Sequence, residues 1–261
     1  MAVTRASVVS SYTVKQALVE ETYRVLHDWD PSKNQRANLS RLRHSNSLGI
    51  RSASWLNDVA KMLNRRLDLD GADRVVMEVA RAEARIDIWR PLLLWHMTRE
   101  EFLVRDFLVN WLFSKHASGT WRLRTADVLP YLAQLHGRKD IVIKEVWSPS
   151  TVSRVASGLL RMAVAFGLMT GTATREFVSY HLPDEAFLYL LHAMTQAEPN
   201  AHRMLHSPDW RMYLMAPDDV QRELFRLHQL GRLRYEVAGS IAELRLPYPT
   251  AADFARKELM P

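Results

Sequence analysis

Cysteine is absent from all 261 residues, so whatever this chain folds into is held together without disulfides, thiolate zinc sites or iron–sulfur clusters, and contains no cysteine nucleophile. Burial of apolar side chains must carry the fold. Glycine is also scarce, at nine residues, while Leu, Ala, Arg, Met and Glu are abundant, a balance that favours helix. Eight tryptophans and eleven methionines are suited to filling a close-packed interior. The expectation is an all-α or nearly all-α, multi-lobed helical globule with two helix-turn-helix-like elements and a short β wing or hairpin. Its longest apolar stretch, Gly158 to Met169, is interrupted by Arg161 and falls short of the roughly 20 residues a bilayer span needs. No apolar run of signal-peptide length opens the chain, and the reading is cytoplasmic, with no membrane partner, and monomeric.

Charge is placed unevenly. Residues 1–66 hold 11 Lys/Arg against 5 Asp/Glu, which accounts for the whole net charge of +6, because the other 195 residues hold 24 of each sign. Between Pro31 and Asn57 lie Lys33, Arg36, Arg41, Arg43 and Arg51 with no acid among them. Such a local excess attracts polyanions. The plainer alternative is a solvated basic face without a partner.

Periodicity divides the chain into four regions. In residues 1–70 a helix is expected from Val14 to Trp29, stopped at Asp30-Pro31. A short helix from about Lys33 to His44 and another capped by Ser52 or Ser54 follow. The latter has a buried stripe of Leu56, Val59, Leu63 and Leu67, and presents Ser54, Asp58, Lys61 and Arg65 opposite. Two helices, a glycine-bearing turn and basic outward residues make a helix-turn-helix candidate. Residues 71–119 read as two long core helices, Ala72–Asp87 and Arg99–Lys115, joined by a proline-initiated apolar turn from Trp89 to Trp95. In residues 120–191 a helix from Thr125 or Asp127 to Leu135 precedes the basic turn His136–Lys139 and a brief extended piece at Ile141–Ile143. Ser148-Pro149 opens a further helix running to about Met169, with Ser150, Arg154, Ser157 and Arg161 within about 60° of one another. An extended run at Phe177–His181 completes the order of a winged helix-turn-helix. Residues 192–261 carry the end of a helix begun near Asp184, a Pro/His/Asn-rich loop, a helix from Asp218 to Leu230 and a hairpin around Gly239-Ser240.

Catalytic signatures are missing. The sequence has no phosphate-binding Gly-Lys loop, dinucleotide turn, nucleophile elbow or His-Glu-x-x-His. His202 and His206 have ligand-pair spacing but no third partner in view, and Asp184-Glu185 and Asp218-Asp219 are explained as helix N-terminal acids. His96, His181, His192 and His228 adjoin apolar positions and read as structural. The expectation is a protein that is not an enzyme, with no cofactor and no metal. Cations aimed at phosphates and a helix with small polar or Arg side chains facing base edges are what DNA binding asks for. Lys33, Arg36, Arg41, Arg43, Arg51, Ser54, Lys61 and Arg65 form one candidate set; Lys139, Ser150, Thr151, Arg154, Ser157 and Arg161 form the other.

Four strings, Leu92 to Phe113, Ser179 to Met194, Ser207 to Met215 and Leu227 to Leu244, resemble the BrxA family of type I BREX bacteriophage-exclusion systems. The likeness runs over most of the chain and is weakest before Val14. It implies a small helical cytoplasmic protein, not an enzyme, encoded beside a DNA methyltransferase, with helix-turn-helix elements and double-stranded DNA and other BREX subunits as partners. The family's likeness to the antitermination factor NusB keeps RNA open as a ligand. One departure is the long gap from Leu135 to Ser148, against the usual 3–4-residue turn, which leaves room for a looser tri-helical or winged arrangement whose helix does not enter a groove.

Overall fold

A computed structural model describes residues 7–9, 17–135, 137–139, 141–143, 146–238 and 241–260. The protein is mainly helical, 62% by residue, with only small sheets of two or three strands. No helix among the described residues is long and apolar enough to cross a membrane. The chain forms two compact units, each assembled from separated stretches: one from residues 18–100, 183–193 and 248–261, the other from residues 1–17, 101–182 and 194–247.

The first unit begins with α1 (Val19–His27), α2 (Gln35–Ser45) and α3 (Ala53–Arg66). The start expected for α1 at Val14 lies outside the described residues. α4 (Arg74–Arg81) and α5 (Ile86–Thr98) follow, and α5 corrects the sequence reading: Trp89–Trp95 is helix, with Pro91 inside it. Ile88, Trp89, Leu92, Leu93, Leu94, Trp95 and Met97 are all buried. A segment buried on nearly every side has no clear amphipathic period to announce it, and its burial offsets the hydrogen bond that Pro91 cannot donate. Trp89 Nε1 donates to the Val76 carbonyl at 2.9 Å, fixing α5 against α4. The first turns of the helix Asp184–Ala197 and the short helix Ala251–Phe254 belong to this unit too.

The second unit starts with β1 (Ser7–Val9) and continues with α6 (Phe102–Asp106), a π-helical segment (Phe107–Leu112) and α7 (Phe113–Ala117), where one long helix was expected. Then come β2 (Arg122–Arg124), α8 (Thr125–Leu135), β3 (Ile141–Ile143), α9 (Pro149–Ala165), β4 (Met169–Gly171) and β5 (Thr174–Phe177). β3 pairs in parallel with β1, while β2, β5 and β4 form an antiparallel sheet in that order. α9 stops four residues before the expected Met169, because Gly167 adopts φ 78° and Leu168 and Gly167 donate back to Ala163 and Val164, a Schellman closure. Met169, the last residue of the expected helix, instead opens β4. Gly171 then turns the chain at φ 99°, where a Cβ would meet the Thr174 carbonyl oxygen at 2.3 Å. The extended run is therefore Thr174–Phe177 rather than Phe177–His181.

Beyond Ala193, the stretch read as a loop contains a helix at Ala201–Leu205 and a 3-10 turn at Pro208–Tyr213. Asn200 caps the former, accepting from Arg203 N at 2.9 Å, and Trp210, Met212 and Tyr213 of the latter are buried. The helix Pro217–Gln229 leads to β6 (Arg234–Ala238), which pairs with β7 (Ile241–Arg245) as the expected hairpin; its turn at Gly239-Ser240 lies outside the described residues.

Candidate nucleic-acid interface

In the first unit, α2 and α3 are joined by residues 46–52, and their packing is set by a polar side chain. Gln35 is buried; its amide donates to the Leu67 carbonyl at 2.9 Å and accepts from Leu69 N at 2.7 Å. The start of α2 is thereby tied to the chain leaving α3. Asn46, at φ 45°, ends α2, and its side chain bonds both backbone groups of Ile50. Ser52, rather than Ser54, caps α3, accepting from Trp55 N at 3.2 Å.

This packing sorts the candidate cations. Arg36 and Arg43 lie about 20° apart around α2; both are exposed, and neither has an ion pair among the described residues. Arg41 lies about 140° from Arg36 and turns to α1, donating to the Asp28 carbonyl and to Asn38 Oδ1. There it lines a small cavity of about 290 Å³ with Trp29, Leu42, Ser45 and Ser47. Lys33 pairs with Asp30 at 3.1 Å, and Arg51 stands exposed in the turn. On α3, Ser54, Lys61 and Arg65 are exposed on one side, and the same side includes Asn57 and Asn64. Those two amides were missed; continuing the steps of three and four from Ser54 through Lys61 reaches both.

In the second unit, Ser148 caps α9, accepting from Thr151 N at 3.3 Å, and bonds Ser150 Oγ at 3.0 Å. Arg154 donates to Thr151 Oγ1 at 3.4 Å. Ser150, Arg154 and Arg161 are exposed, with Thr151 and Ser157 half-buried, while Val155, Leu159, Leu160, Met162 and Ala163 form the buried side. Lys139 is exposed in the segment before β3. Its neighbour Arg138 turns inward to buried Asp106, Nη1 to Oδ1 2.7 Å, and Tyr131 OH donates to the same carboxylate at 2.8 Å. Burial, and then the negative Asp106, push the Tyr131 hydroxyl far above its ordinary pKa. That hub holds α8 to α6. Two residues absent from the sequence reading also belong to this region: Arg175 on β5, bonded to Thr125 and Ser157, and exposed Trp121, with the Arg122 guanidinium 3.8 Å from its ring centre.

One constellation with a catalytic look is buried: His96 bonds Asp73 through Nδ1 at 2.6 Å and Tyr189 OH through Nε2 at 2.7 Å, with exposures of 6%, 4% and 1%. The rings of His202 and His206 stack 4.3 Å apart, and His206 Nδ1 bonds the His202 carbonyl. Among the described residues no three His, Cys, Asp or Glu side chains are grouped to hold a metal ion.

These features define a mainly helical protein with small accessory sheets, whose distinctive surfaces are polar helix faces. Residues 9–193 match the BrxA family; the chain belongs to that family and so to the proteins associated with BREX phage defence. No curated protein matches it.

Proposed function

We propose that this chain is a non-catalytic, double-stranded DNA-binding subunit of its BREX system. The observation that carries the reading is the order α7–β2–α8–β3–α9–β4–β5 with sheet order β2-β5-β4. Apart from β3, which pairs with β1 outside that sheet, it is the element order of a winged helix-turn-helix, with α9 in the place of the helix that enters the major groove. Small hydroxyls and Arg154 along α9 are suited to base edges; separately, in the other unit, α2 and α3 carry cations suited to phosphates. The thirteen-residue span 136–148 between α8 and α9 exceeds a helix-turn-helix turn and is partly taken up by β3.

The test is a fluorescence-anisotropy titration with duplex DNA at several salt concentrations. If about five phosphates are neutralised, log K falls against log[salt] with a slope of roughly −4 to −5, with weak dependence on sequence. A slope near zero would remove the electrostatic account, and a strong preference for single-stranded RNA would replace duplex DNA by RNA. Turnover of ATP or DNA that disappears with a point substitution in this chain would overturn the non-catalytic part.

A second reading, a scaffold that docks other BREX subunits, is favoured by apolar exposure. Phe225 and Leu230, on and just after the helix Pro217–Gln229, and Val237 on β6 are 41%, 60% and 41% exposed. Loss of phage exclusion with DNA binding intact, on changing Phe225 and Leu230 to Ser, would favour it.

A further inference from the structure

The register of β5 sets Arg175 opposite the buried Leu123. Arg175 is consequently 5% exposed, yet it pairs with no carboxylate among the described residues. One Nη donates to Thr125 Oγ1 at 3.3 Å and the other to Ser157 Oγ at 3.4 Å, while Nε is buried without a hydrogen-bond partner. Charge-assisted bonds are usually about 2.7–2.9 Å, so the guanidinium is loosely held. Another cation acts on it: burial first, and then the positive Arg161, lower the Arg175 pKa from its ordinary value. Arg161 is exposed on α9, one turn beyond Ser157, and has no ion pair among the described residues.

A buried charge is costly unless it is paired, and a second cation nearby adds to that cost. An anion bound here would relieve both. Two guanidinium groups with two hydroxyls match a phosphate group, whose oxygens accept from forked N–H donors and from Ser or Thr. We propose that Thr125, Ser157, Arg161 and Arg175 form a phosphate-binding site at the middle of the α9 face, and that its occupant is a backbone phosphate of the duplex. The choice of occupant rests on the duplex-binding reading above; the site itself does not. In this arrangement Arg161 reaches the ligand from the surface, and Arg175 charges the site from beneath.

The experiment uses the full chain, inorganic phosphate as a probe, and the variants Arg161→Gln and Arg175→Met. Phosphate, compared with chloride at equal ionic strength, should raise the melting temperature of the wild type and of neither variant. Without phosphate, Arg175→Met should melt no lower than the wild type, because it removes an unpaired buried charge. Duplex affinity should fall about ten-fold in each variant, and the salt slope should flatten by about 0.9, one contact. Equal phosphate responses in wild type and variants, or none in the wild type, would overturn the site. If that happens while all three proteins bind duplex alike, the duplex reading stands without it. If the wild type ignores duplex but its phosphate response needs Arg161 and Arg175, the site stands, with free phosphate as its ligand. Should Arg175→Met fail to fold, Arg161→Gln, altered at an exposed position, decides the same question.

Discussion

The α2–α3 and α8–α9 pairs divide the demands of DNA binding differently. The first has more charge: Lys33, Arg36, Arg41, Arg43 and Arg51 lie in one acid-free stretch. Part of that charge is spent on structure, since Lys33 is paired with Asp30 and Arg41 braces α1. The second pair has fewer cations on its surface, but Ser148 fixes the start of α9 and the sheet β2-β5-β4 supports it, with Arg175 placed between. Counting cations along a sequence therefore overstates the first region and understates the second. What matters is which guanidinium groups retain a free face after packing.

The largest expected effect is at Arg36 and Arg43. They share one side of α2 and have no ion pair among the described residues. Changing both to Ala should flatten the salt slope by about 1.8 units and, near 0.15 M salt, weaken duplex binding roughly 30-fold for every sequence alike. The readout is anisotropy over a salt series with two unrelated duplexes. An unchanged slope would mean that α2 is no phosphate-contacting surface, and the α8–α9 pair would have to carry the affinity. If phage exclusion is nevertheless lost in cells, the α2 face docks a protein.

Arg154→Ala should have a smaller effect of another kind. Arg154 is exposed on α9, and among the described residues its one hydrogen-bond partner is Thr151 at 3.4 Å, so it can reach a base edge. A base contact carries preference rather than bulk affinity, and its loss should cost up to about ten-fold on favoured sequences and little on others. A uniform loss across a panel of duplexes would make Arg154 another phosphate contact and erase the distinction between the two regions.

These regions were also unequally legible in the sequence. Ser148-Pro149 announced α9 because a capping hydroxyl followed by proline is a local signal, and the alternation around Gly239-Ser240 announced β6 and β7. Trp89–Trp95 of α5 reads as a turn because a segment buried on nearly every side has no period and Pro91 signals a break. Of β4, Met169 alone reads as part of α9, because it continues the apolar run; Gly167 and Gly171 read as closing the helix, and it is the conformation of Gly167 that ends it. Of the candidate interface, the exposed faces of α3 and α9 followed from helical spacing. Arg175 did not, since it sits on a four-residue strand and meets Thr125 and Ser157 only through tertiary packing. Gln35 was hidden for the same reason: nothing local distinguishes a buried glutamine bonded to Leu67 and Leu69 from an exposed one.

The smallest effect on binding, and the sharpest test of how charge is shared, is expected from Arg41→Ala. By sequence Arg41 is grouped with Arg36 and Arg43, and a phosphate contact there would give the same uniform loss of affinity. Its guanidinium instead donates to the Asp28 carbonyl, at the C-terminal end of α1, and to Asn38 Oδ1. A cation at that end satisfies a carbonyl left without a helical partner and interacts favourably with the helix dipole. Asn38 is buried and also binds the Asp30 carbonyl at 2.9 Å, so the arginine braces the corner between α1 and α2. Its removal should lower stability by about 1 kcal/mol, a fall of about 2–4 °C in melting temperature for a chain of this size, and should leave the salt slope within about half a contact of the wild type. Arg41→Lys keeps the charge but loses the forked geometry; it should recover any phosphate attraction while recovering only part of the stability. If Arg41→Ala instead melts like the wild type and flattens the slope by about 0.9, the brace is dispensable, and α2 offers DNA a third cation that packing has not withdrawn.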